Sequence, residues 1–184
     1  MITTTTDIAG LLVIEPKVFA DQRGHFFESY NARAFSEATG LSVEFVQDNH
    51  SHSTRGVLRG LHYQLPPKAQ GKLVRVVDGA VYDVAVDLRK NSATFGRWTG
   101  HRLSAENRKQ LWIPPGLAHG FLVLSDTAEV LYKTTDYYSP EHERSLHWRD
   151  PAIGIDWPLD GMPIVAAKDA AAPPLAAAEI FAGV

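Results

Sequence analysis

Three side chains able to do chemistry lie close together in one glycine-punctuated stretch of the sequence. Arg59, His62 and Lys72 occur among strand-forming apolar residues between positions 55 and 72. Histidine can take and return a proton near neutral pH, and arginine and lysine suit phosphates and developing oxyanions. The combination predicts proton abstraction from an anionic substrate. The same residues also fit an ordinary hairpin with a half-buried imidazole. Evidence from the rest of the chain is needed to distinguish a catalytic site from such a hairpin.

Short β-type segments separated by turn residues run through most of the chain and predict an all-β sandwich or barrel. We place strands at residues 11–14, 25–30, 43–47, 58–64, 72–77, 80–88, 96–103, 110–113, 120–124 and 130–135. One early helix is predicted at residues 32–39, between the N-cap Asn31 and the stop Gly40. The pair Asp78-Gly79 predicts a tight turn, so residues 72–88 are expected to form one hairpin.

Side chains alternate between the two faces of a strand, which sorts the candidate residues. Inward-facing positions are predicted for His62, Lys72, His119 and Tyr132. These four side chains should line a cavity inside the barrel. Arg59 precedes His62 by three residues and falls on the opposite face under strict alternation. A β-bulge at Gly60 could turn Arg59 inward.

Composition bounds the class of protein. The chain has 184 residues, of which 45% are hydrophobic, a formal net charge of −3 and no cysteine. This predicts a single domain over residues 1–184, without the basic stripe that non-specific nucleic-acid binding needs. The absence of cysteine and of any long apolar run predicts a soluble cytoplasmic protein that does not bind a membrane.

The segment from Trp112 to Phe121 resembles the second conserved hairpin motif of cupins, which are double-stranded β-helix jelly rolls. In metal-binding cupins the first motif supplies His-x-His and then a glutamate. Here Gln64 stands at the second of these positions, and no acidic residue occurs between His62 and Asp78. Because a stable metal site needs three or four donors, His62 and His119 alone predict no metal.

Further blocks, in order along the chain, resemble the dTDP-4-dehydrorhamnose 3,5-epimerases, a deoxysugar family of cupins. They lie at residues 14–30, 45–51, 56–64, 71–75, 114–121 and 132–138, and Lys168-Asp169 resembles the C-terminal block. The resemblance extends over about residues 7–181. It implies a cupin-type jelly roll with a few short peripheral helices.

The resemblance also implies an activity, the cofactor-independent epimerisation at C3 and C5 of dTDP-4-dehydro-6-deoxyglucose to dTDP-4-dehydro-L-rhamnose, within dTDP-rhamnose biosynthesis. The keto group acidifies the neighbouring C–H bonds, so the enzyme must supply a base, an enolate partner and an acid across the ring. Family correspondence makes His62 the base, oriented by Asp169. Lys72 would stabilise the enolate oxygen, and Tyr132 would return a proton to the opposite face.

The same correspondence implies a set of residues that bind the dTDP-sugar. These are Arg23, Glu28, Gln47, Asp48, Asn49, Arg59, Lys72, His119, Tyr138, Glu143 and Lys168. Arg23 and Arg59 are expected on the diphosphate, because a guanidinium can bond phosphate oxygens bidentately. Tyr138 is expected under the thymine ring. The resemblance further implies a homodimer in which residues 1–30 reach the partner's site.

Three alternative functions remain open at this point. A mono-epimerase acting only at C3 or C5 would share almost all of these residues, and product analysis by NMR would discriminate it. The other two are a non-catalytic cupin that binds a sugar nucleotide and a metal-dependent cupin oxygenase. The joint presence of His62, Lys72, Tyr132 and Asp169 disfavours pure binding, and the missing metal ligands disfavour the oxygenase.

Overall fold

The computed structural model describes residues 1–182 and consists mainly of antiparallel β-strands. Two α-helices, α1 (Ala32–Thr39) and α2 (Ala167–Ala170), and a 3-10 helix at Leu175–Ala177 accompany them. The strands are β1 (Ile2–Thr5), β2 (Leu12–Glu15), β3 (Phe19–Asp21), β4 (Gly24–Phe26), β5 (Gln47–Thr54), β6 (Val57–Gln64), β7 (Lys72–Asp78), β8 (Ala80–Asp87), β9 (Trp98–Ser104), β10 (Gln110–Ile113), β11 (Leu117–Val123), β12 (Thr127–Thr134), β13 (Glu143–Ser145) and β14 (Ile164–Val165).

Two sheets face each other. The first has the order β1-β2-β10-β7-β12-β5, and the second has the order β13-β6-β11-β8-β9, with β14 added in parallel to β6. Several strands that follow one another in the sequence belong to different sheets, as β5 and β6, β7 and β8, and β10 and β11 do. This alternation is the double-sheet jelly roll, so the predicted all-β, cupin-type fold is confirmed.

The two inner faces share one apolar core, which follows from period-two alternation along each strand. Its buried members include Val74 and Val76 of β7, Val130 of β12, and Phe121 and Val123 of β11. The inward faces predicted for β7, β11 and β12 are therefore correct. Polar side chains interrupt this core at one end, where the strands carry the candidate site residues.

Both outer faces are also covered. Helix α1 packs Phe35 against Trp112 on the first sheet, with ring centroids 5.7 Å apart. The C-terminal segment covers the second sheet with Leu146, Trp148 and Phe181. The predicted helix boundaries are confirmed, because the Asn31 side chain accepts a hydrogen bond from Ala34 N and Gly40 adopts a left-handed φ of 73°.

Two predicted strands require correction. Of the strand predicted at residues 43–47, only Gln47 is in a strand, because Val43 and Phe45 pack against Phe35 and Trp112 rather than occupying sheet positions. The strand begins at Gln47 instead and lacks apolar alternation, since its inner face is polar. Of the strand predicted at 25–30, only residues 25 and 26 are in a strand, β4, which pairs with β3 in a separate two-stranded sheet.

The predicted hairpin over residues 72–88 is wrong. Strand β7 pairs with β10 and β12, whereas β8 pairs with β9 and β11 in the other sheet. Gly79, with φ 70°, turns the chain from one sheet to the other, and a Cβ there would collide with the carbonyl oxygen of Thr127. The Asp-Gly signal thus located the turn but not the strand partners.

No helix among residues 1–182 is long and apolar enough to span a membrane.

Candidate active site

A cavity of about 440 Å³ opens between the two sheets at the polar end of the core. Seven of the predicted site residues line it: Arg59, His62, Lys72, His119, Tyr132, Lys168 and Asp169. A smaller pocket of about 220 Å³ shares His62, Lys72 and Tyr132 with this cavity and adds Gln47, Asn49, Tyr138 and Glu143. The structure therefore brings most of the predicted site together from seven separate segments of the chain.

A β-bulge in β6 puts Arg59 and His62 on the same side of the strand. His119 pairs with His62 but Phe121 pairs with Arg59, so the register shifts by one residue between them. Gly60 allows this close approach, because a Cβ there would come within 2.7 Å of the Gly120 Cα atom. The predicted bulge is present. As a result, Leu58 packs on the outer face of the second sheet, in the apolar cluster covered by the C-terminal segment.

His62 forms a short hydrogen bond with a buried carboxylate. Its Nε2 lies 2.6 Å from Oδ1 of Asp169, which is only 2% exposed. The other oxygen, Oδ2, accepts a hydrogen bond from Gly60 N at 3.1 Å. Burial raises the pKa of Asp169, but the hydrogen bonds from His62 and Gly60 N, together with the nearby charge of Lys168, outweigh burial and hold that pKa below its usual value. Because Nε2 is occupied, Nδ1 is the ring nitrogen available to accept a proton.

Lys72 projects from β7 into the same cavity and is 8% exposed. Its Nζ donates to the carbonyl oxygen of His62 at 3.3 Å. Burial lowers the pKa of Lys72 to about 8, although the negative charges of Asp83 and Glu143 oppose that shift. This ammonium group is desolvated, and no carboxylate within residues 1–182 is hydrogen-bonded to it, so it is suited to an anion that forms within the cavity.

Tyr132 stands on β12, in the sheet opposite His62. The two side chains therefore reach the cavity from facing walls. Burial raises the pKa of Tyr132, so its hydroxyl keeps its proton at neutral pH and can donate it.

His119 is also bound to a buried carboxylate, which the sequence analysis missed. Its Nε2 lies 3.0 Å from both oxygens of Asp83, a residue on β8 with no exposed surface. Burial lowers the pKa of His119, which favours the neutral imidazole. Alternation along β8 was the available signal, because it groups Asp83 with Val81 and Ala85 on the inner face.

A second group of polar side chains surrounds the mouth of the smaller pocket. The Tyr138 hydroxyl donates to Glu143 Oε2 at 3.1 Å, and Lys168 Nζ donates to Glu143 Oε1 at 3.1 Å. Gln47 accepts from Tyr138 N at 2.9 Å and donates to Asn49 Oδ1 at 2.9 Å. The hydrogen bond to Glu143 raises the pKa of Tyr138. This mouth combines an exposed aromatic ring with donors and acceptors, as a nucleoside would require.

Arg59 is held in the cavity wall by neighbours on β5. Its Nε donates to Ser53 Oγ at 2.9 Å, and an Nη donates to the carbonyl oxygen of His52 at 3.3 Å. Neither partner is a carboxylate. The positive charge of Arg59 thus remains uncompensated by these contacts and can attract an anionic group.

Three predicted residues lie outside both pockets. Asp48 is on the opposite face of β5 from Gln47 and Asn49, and it pairs with Lys133 at 2.8 Å. Arg23 is 83% exposed and pairs with Asp21, and Glu28 accepts a hydrogen bond from Asn31. Asp48 faces away from the pockets because side chains alternate along β5. Arg23 and Glu28 lie away from the pockets because they belong to the N-terminal segment around the separate β3–β4 hairpin.

The donors that could hold a metal are engaged otherwise. His62 and His119 are cross-strand neighbours, but each directs Nε2 to its own carboxylate. The Gln64 amide bonds to backbone groups of two loops. Over residues 1–182, no three His, Asp or Glu side chains form a group that could hold a metal ion.

Comparison with known proteins gives one consistent family. The family model described as dTDP-4-dehydrorhamnose 3,5-epimerase matches residues 5–177. A dTDP-4-dehydrorhamnose 3,5-epimerase of Pseudomonas aeruginosa is 60% identical over 181 residues, which are 98% of this chain and 99% of that protein.

Solved structures agree with that result. A dTDP-6-deoxy-D-glucose-3,5-epimerase of Legionella pneumophila, crystallised with dTDP-4-keto-L-rhamnose, superposes with a TM-score of 0.93 at 52% identity, covering 96% of this chain and 94% of its own. A 3′-monoepimerase of Streptomyces bikiniensis, crystallised with dTDP-quinovose, superposes with a TM-score of 0.88 at 38% identity, covering 93% and 86%. On the sequence match, the shared fold and the cavity described above, the chain belongs to the dTDP-4-dehydrorhamnose 3,5-epimerase family.

Proposed function

We propose that this protein epimerises C3 and C5 of dTDP-4-dehydro-6-deoxyglucose to give dTDP-4-dehydro-L-rhamnose, without a cofactor, in the synthesis of dTDP-rhamnose. One observation carries the proposal. The carboxylate-bound His62 and the protonated hydroxyl of Tyr132 enter one cavity from facing sheets, beside the buried ammonium group of Lys72. A base, an acid and an enolate partner on different sides of a sugar ring are what inversion through an enolate requires.

Each inversion moves one proton in and one proton out. His62 accepts the proton from the ring carbon at Nδ1, while Asp169 stabilises the imidazolium that forms through the 2.6 Å bond at Nε2. The electron pair of the broken C–H bond is delocalised onto O4, where the Lys72 ammonium stabilises the negative charge. Tyr132 then donates its proton to the opposite face of C5. The Tyr132 phenolate regains a proton from solvent, and the His62 imidazolium releases its extra proton to solvent, which returns both side chains to their starting states.

The nucleotide end of the substrate is proposed to lie in the smaller pocket. Tyr138 is 53% exposed and presents its ring beside Gln47 and Glu143, which supports stacking on thymine. Arg59 is proposed to bind the diphosphate, and its anchoring by uncharged groups supports that role. His119, Asn49 and Lys168 complete the proposed contacts.

The proposed assembly is a homodimer of one-domain chains over residues 1–184. Within one chain, Arg23 and Glu28 line neither pocket. The exposed Phe19 and Phe26 of the β3–β4 hairpin support a role for residues 1–30 at the partner's site. Asp48 was expected in the substrate-binding set, and its ion pair on the outer face of β5 gives that role no support. A cytoplasmic location stays a prediction.

The decisive experiment follows dTDP-4-keto-6-deoxyglucose in D₂O by NMR. The wild-type protein should incorporate deuterium at C3 and C5 and form the rhamno product. His62→Asn should abolish both exchange and epimerisation, whereas the matched substitution His147→Asn, at a histidine that lines neither pocket, should leave them intact. Substantial exchange in the His62 variant would assign the base to another residue.

A mono-epimerase remains the second candidate. The Streptomyces bikiniensis 3′-monoepimerase superposes on most of this chain, so the fold alone does not determine how many centres are inverted. Product stereochemistry separates the two activities, because a mono-epimerase would invert only one of the two exchanging carbons.

A further inference from the structure

Gln64 occupies the position at which, by the cupin resemblance, metal-binding cupins have their second ligand, and its amide bonds to protein backbone. The side chain is 3% exposed and belongs to β6, two residues after His62. Its Nε2 donates to the carbonyl oxygens of Lys68 at 2.7 Å and Tyr137 at 3.2 Å. Its Oε1 accepts from Ser139 N at 2.8 Å. The two amide hydrogens and the carbonyl oxygen are therefore all engaged.

Two of these three bonds bracket Tyr138. Gln64 binds the carbonyl group of the residue before Tyr138 and the N–H group of the residue after it. The backbone N–H of Tyr138 itself donates to Gln47 Oε1 at 2.9 Å. The loop at residues 135–139 has no regular secondary structure. Its conformation at Tyr138 consequently depends on these side-chain amides.

The third bond joins a second loop, at residues 65–71, to the same amide. Gln70 strengthens that connection, because its Nε2 donates to the carbonyl oxygen of Asp136 at 2.8 Å. Gly71 and Thr135 exchange two further hydrogen bonds, of 2.8 and 3.0 Å. Gln64 thus lies where the two loops meet and connects both to the strand that carries His62.

We propose that Gln64 is a positioning residue that fixes the Tyr138 ring for the nucleoside of the substrate. The inference rests on the proposed stacking of Tyr138 on thymine. An aromatic ring that is 53% exposed receives little orientation from packing, so a loose loop would lose conformational freedom when the nucleotide binds. The amide of Gln64 removes that freedom in advance. Because Gln64 and His62 share one strand, the same element sets the nucleoside platform and the base.

The test compares two Gln64 variants with a control that removes a buried hydrogen bond away from both pockets. Gln64→Met removes all three bonds with little change in volume. Gln64→Glu keeps the acceptor but places a carboxylate against two carbonyl oxygens. The control is Thr94→Val, which removes the 2.6 Å bond from the Thr94 hydroxyl to Asp87 Oδ2, at a residue that lines neither pocket. All three variants lose buried hydrogen bonds, but only the first two release Tyr138.

The expected result is a loss of nucleotide affinity without a loss of chemistry. In Gln64→Met the Kd for dTDP and the KM for the sugar nucleotide should rise about tenfold, equivalent to about 1.4 kcal/mol, with kcat within about threefold of wild type. Amide hydrogen exchange over residues 135–139 should accelerate in both Gln64 variants. Thr94→Val should lower the melting temperature and change neither Kd nor the exchange of that loop.

Two results would overturn the proposal. A folded Gln64→Met protein with wild-type affinity for dTDP would make the amide a purely structural group. A fall in kcat with unchanged KM would mean that Gln64 acts through His62. Binding of dTDP requires no turnover, so these outcomes are separate from the NMR test of epimerisation.

Discussion

Replacing Asp169 by asparagine should slow proton abstraction while leaving substrate binding nearly unchanged. The carboxylate is 2% exposed, bonds His62 Nε2 at 2.6 Å and accepts from Gly60 N at 3.1 Å. In Asp169→Asn the amide oxygen can keep the bond from Gly60 N, which leaves the NH₂ group facing His62. The amide then donates to Nε2, and the imidazole proton must move to Nδ1, the nitrogen needed as the base.

The size of the effect follows from the bond that is lost. A hydrogen bond to a charged group contributes about 1.5–3 kcal/mol. Each 1.36 kcal/mol in the barrier is a factor of ten in rate, so kcat should fall about 10- to 160-fold from this term alone. The unfavourable tautomer adds to that loss. Because Asp169 does not contact the nucleotide pocket, KM should change little.

The assay measures deuterium wash-in at C3 and C5 and product formation in parallel, at saturating substrate. Both rates should fall by the same factor, since both depend on the first proton transfer. Leu61→Val, a small change in the apolar cluster on the outer face of the same strand, at a residue that lines neither pocket, controls for a general effect on β6. A kcat within about threefold of wild type in Asp169→Asn would contradict the assigned role of the carboxylate.

Five further outcomes are expected. With the pKa of Lys72 at about 8, kcat/KM should decline as the pH rises through 8, and a flat pH–rate profile up to pH 9.5 would exclude its charge from catalysis. The same shift makes stability rise with pH between about 8 and 10.4, because the unfolded chain binds the extra proton there. Tyr132→Phe should still exchange C5 hydrogen with solvent but fail to invert C5, and wild-type inversion would identify another acid. Tyr138→Ala should raise KM about 5- to 160-fold with a smaller change in kcat, as loss of base stacking predicts, and an unchanged KM would place the thymine elsewhere. Activity should survive exhaustive chelation, because the Gln64 amide is hydrogen-bonded to backbone groups and is not free to bind a metal. Loss of turnover in EDTA, with recovery on adding one divalent metal, would refute the mechanism.

Local patterns in the sequence were sufficient for much of the fold. Period-two alternation correctly predicted the inner faces of β7, β11 and β12, and with them the inward positions of Lys72, His119 and Tyr132. Capping chemistry correctly placed α1 between Asn31 and Gly40. These properties depend on neighbours within one strand or one helical turn, so they are visible in the sequence.

Strand pairing could not be predicted in the same way. Asp78-Gly79 has the composition of a hairpin turn, but the strands on either side belong to different sheets. Strand β5 was not predicted over its observed range, because its inner face contacts a cavity and carries no apolar residues. Both errors arise because a strand's partners are determined by hydrogen bonds and packing between segments far apart in the chain.

The sequence by itself determined which residue types were available for chemistry and, through the family resemblance, which ones to pair. Only the tertiary structure decided that Asp169 lies 2.6 Å from His62 across 107 positions, that Asp83 holds His119, and that a bulge turns Arg59 inward. It also showed Asp48 facing outward. Contacts of this kind form when two sheets close over one core, and no local spacing encodes the distance between their side chains.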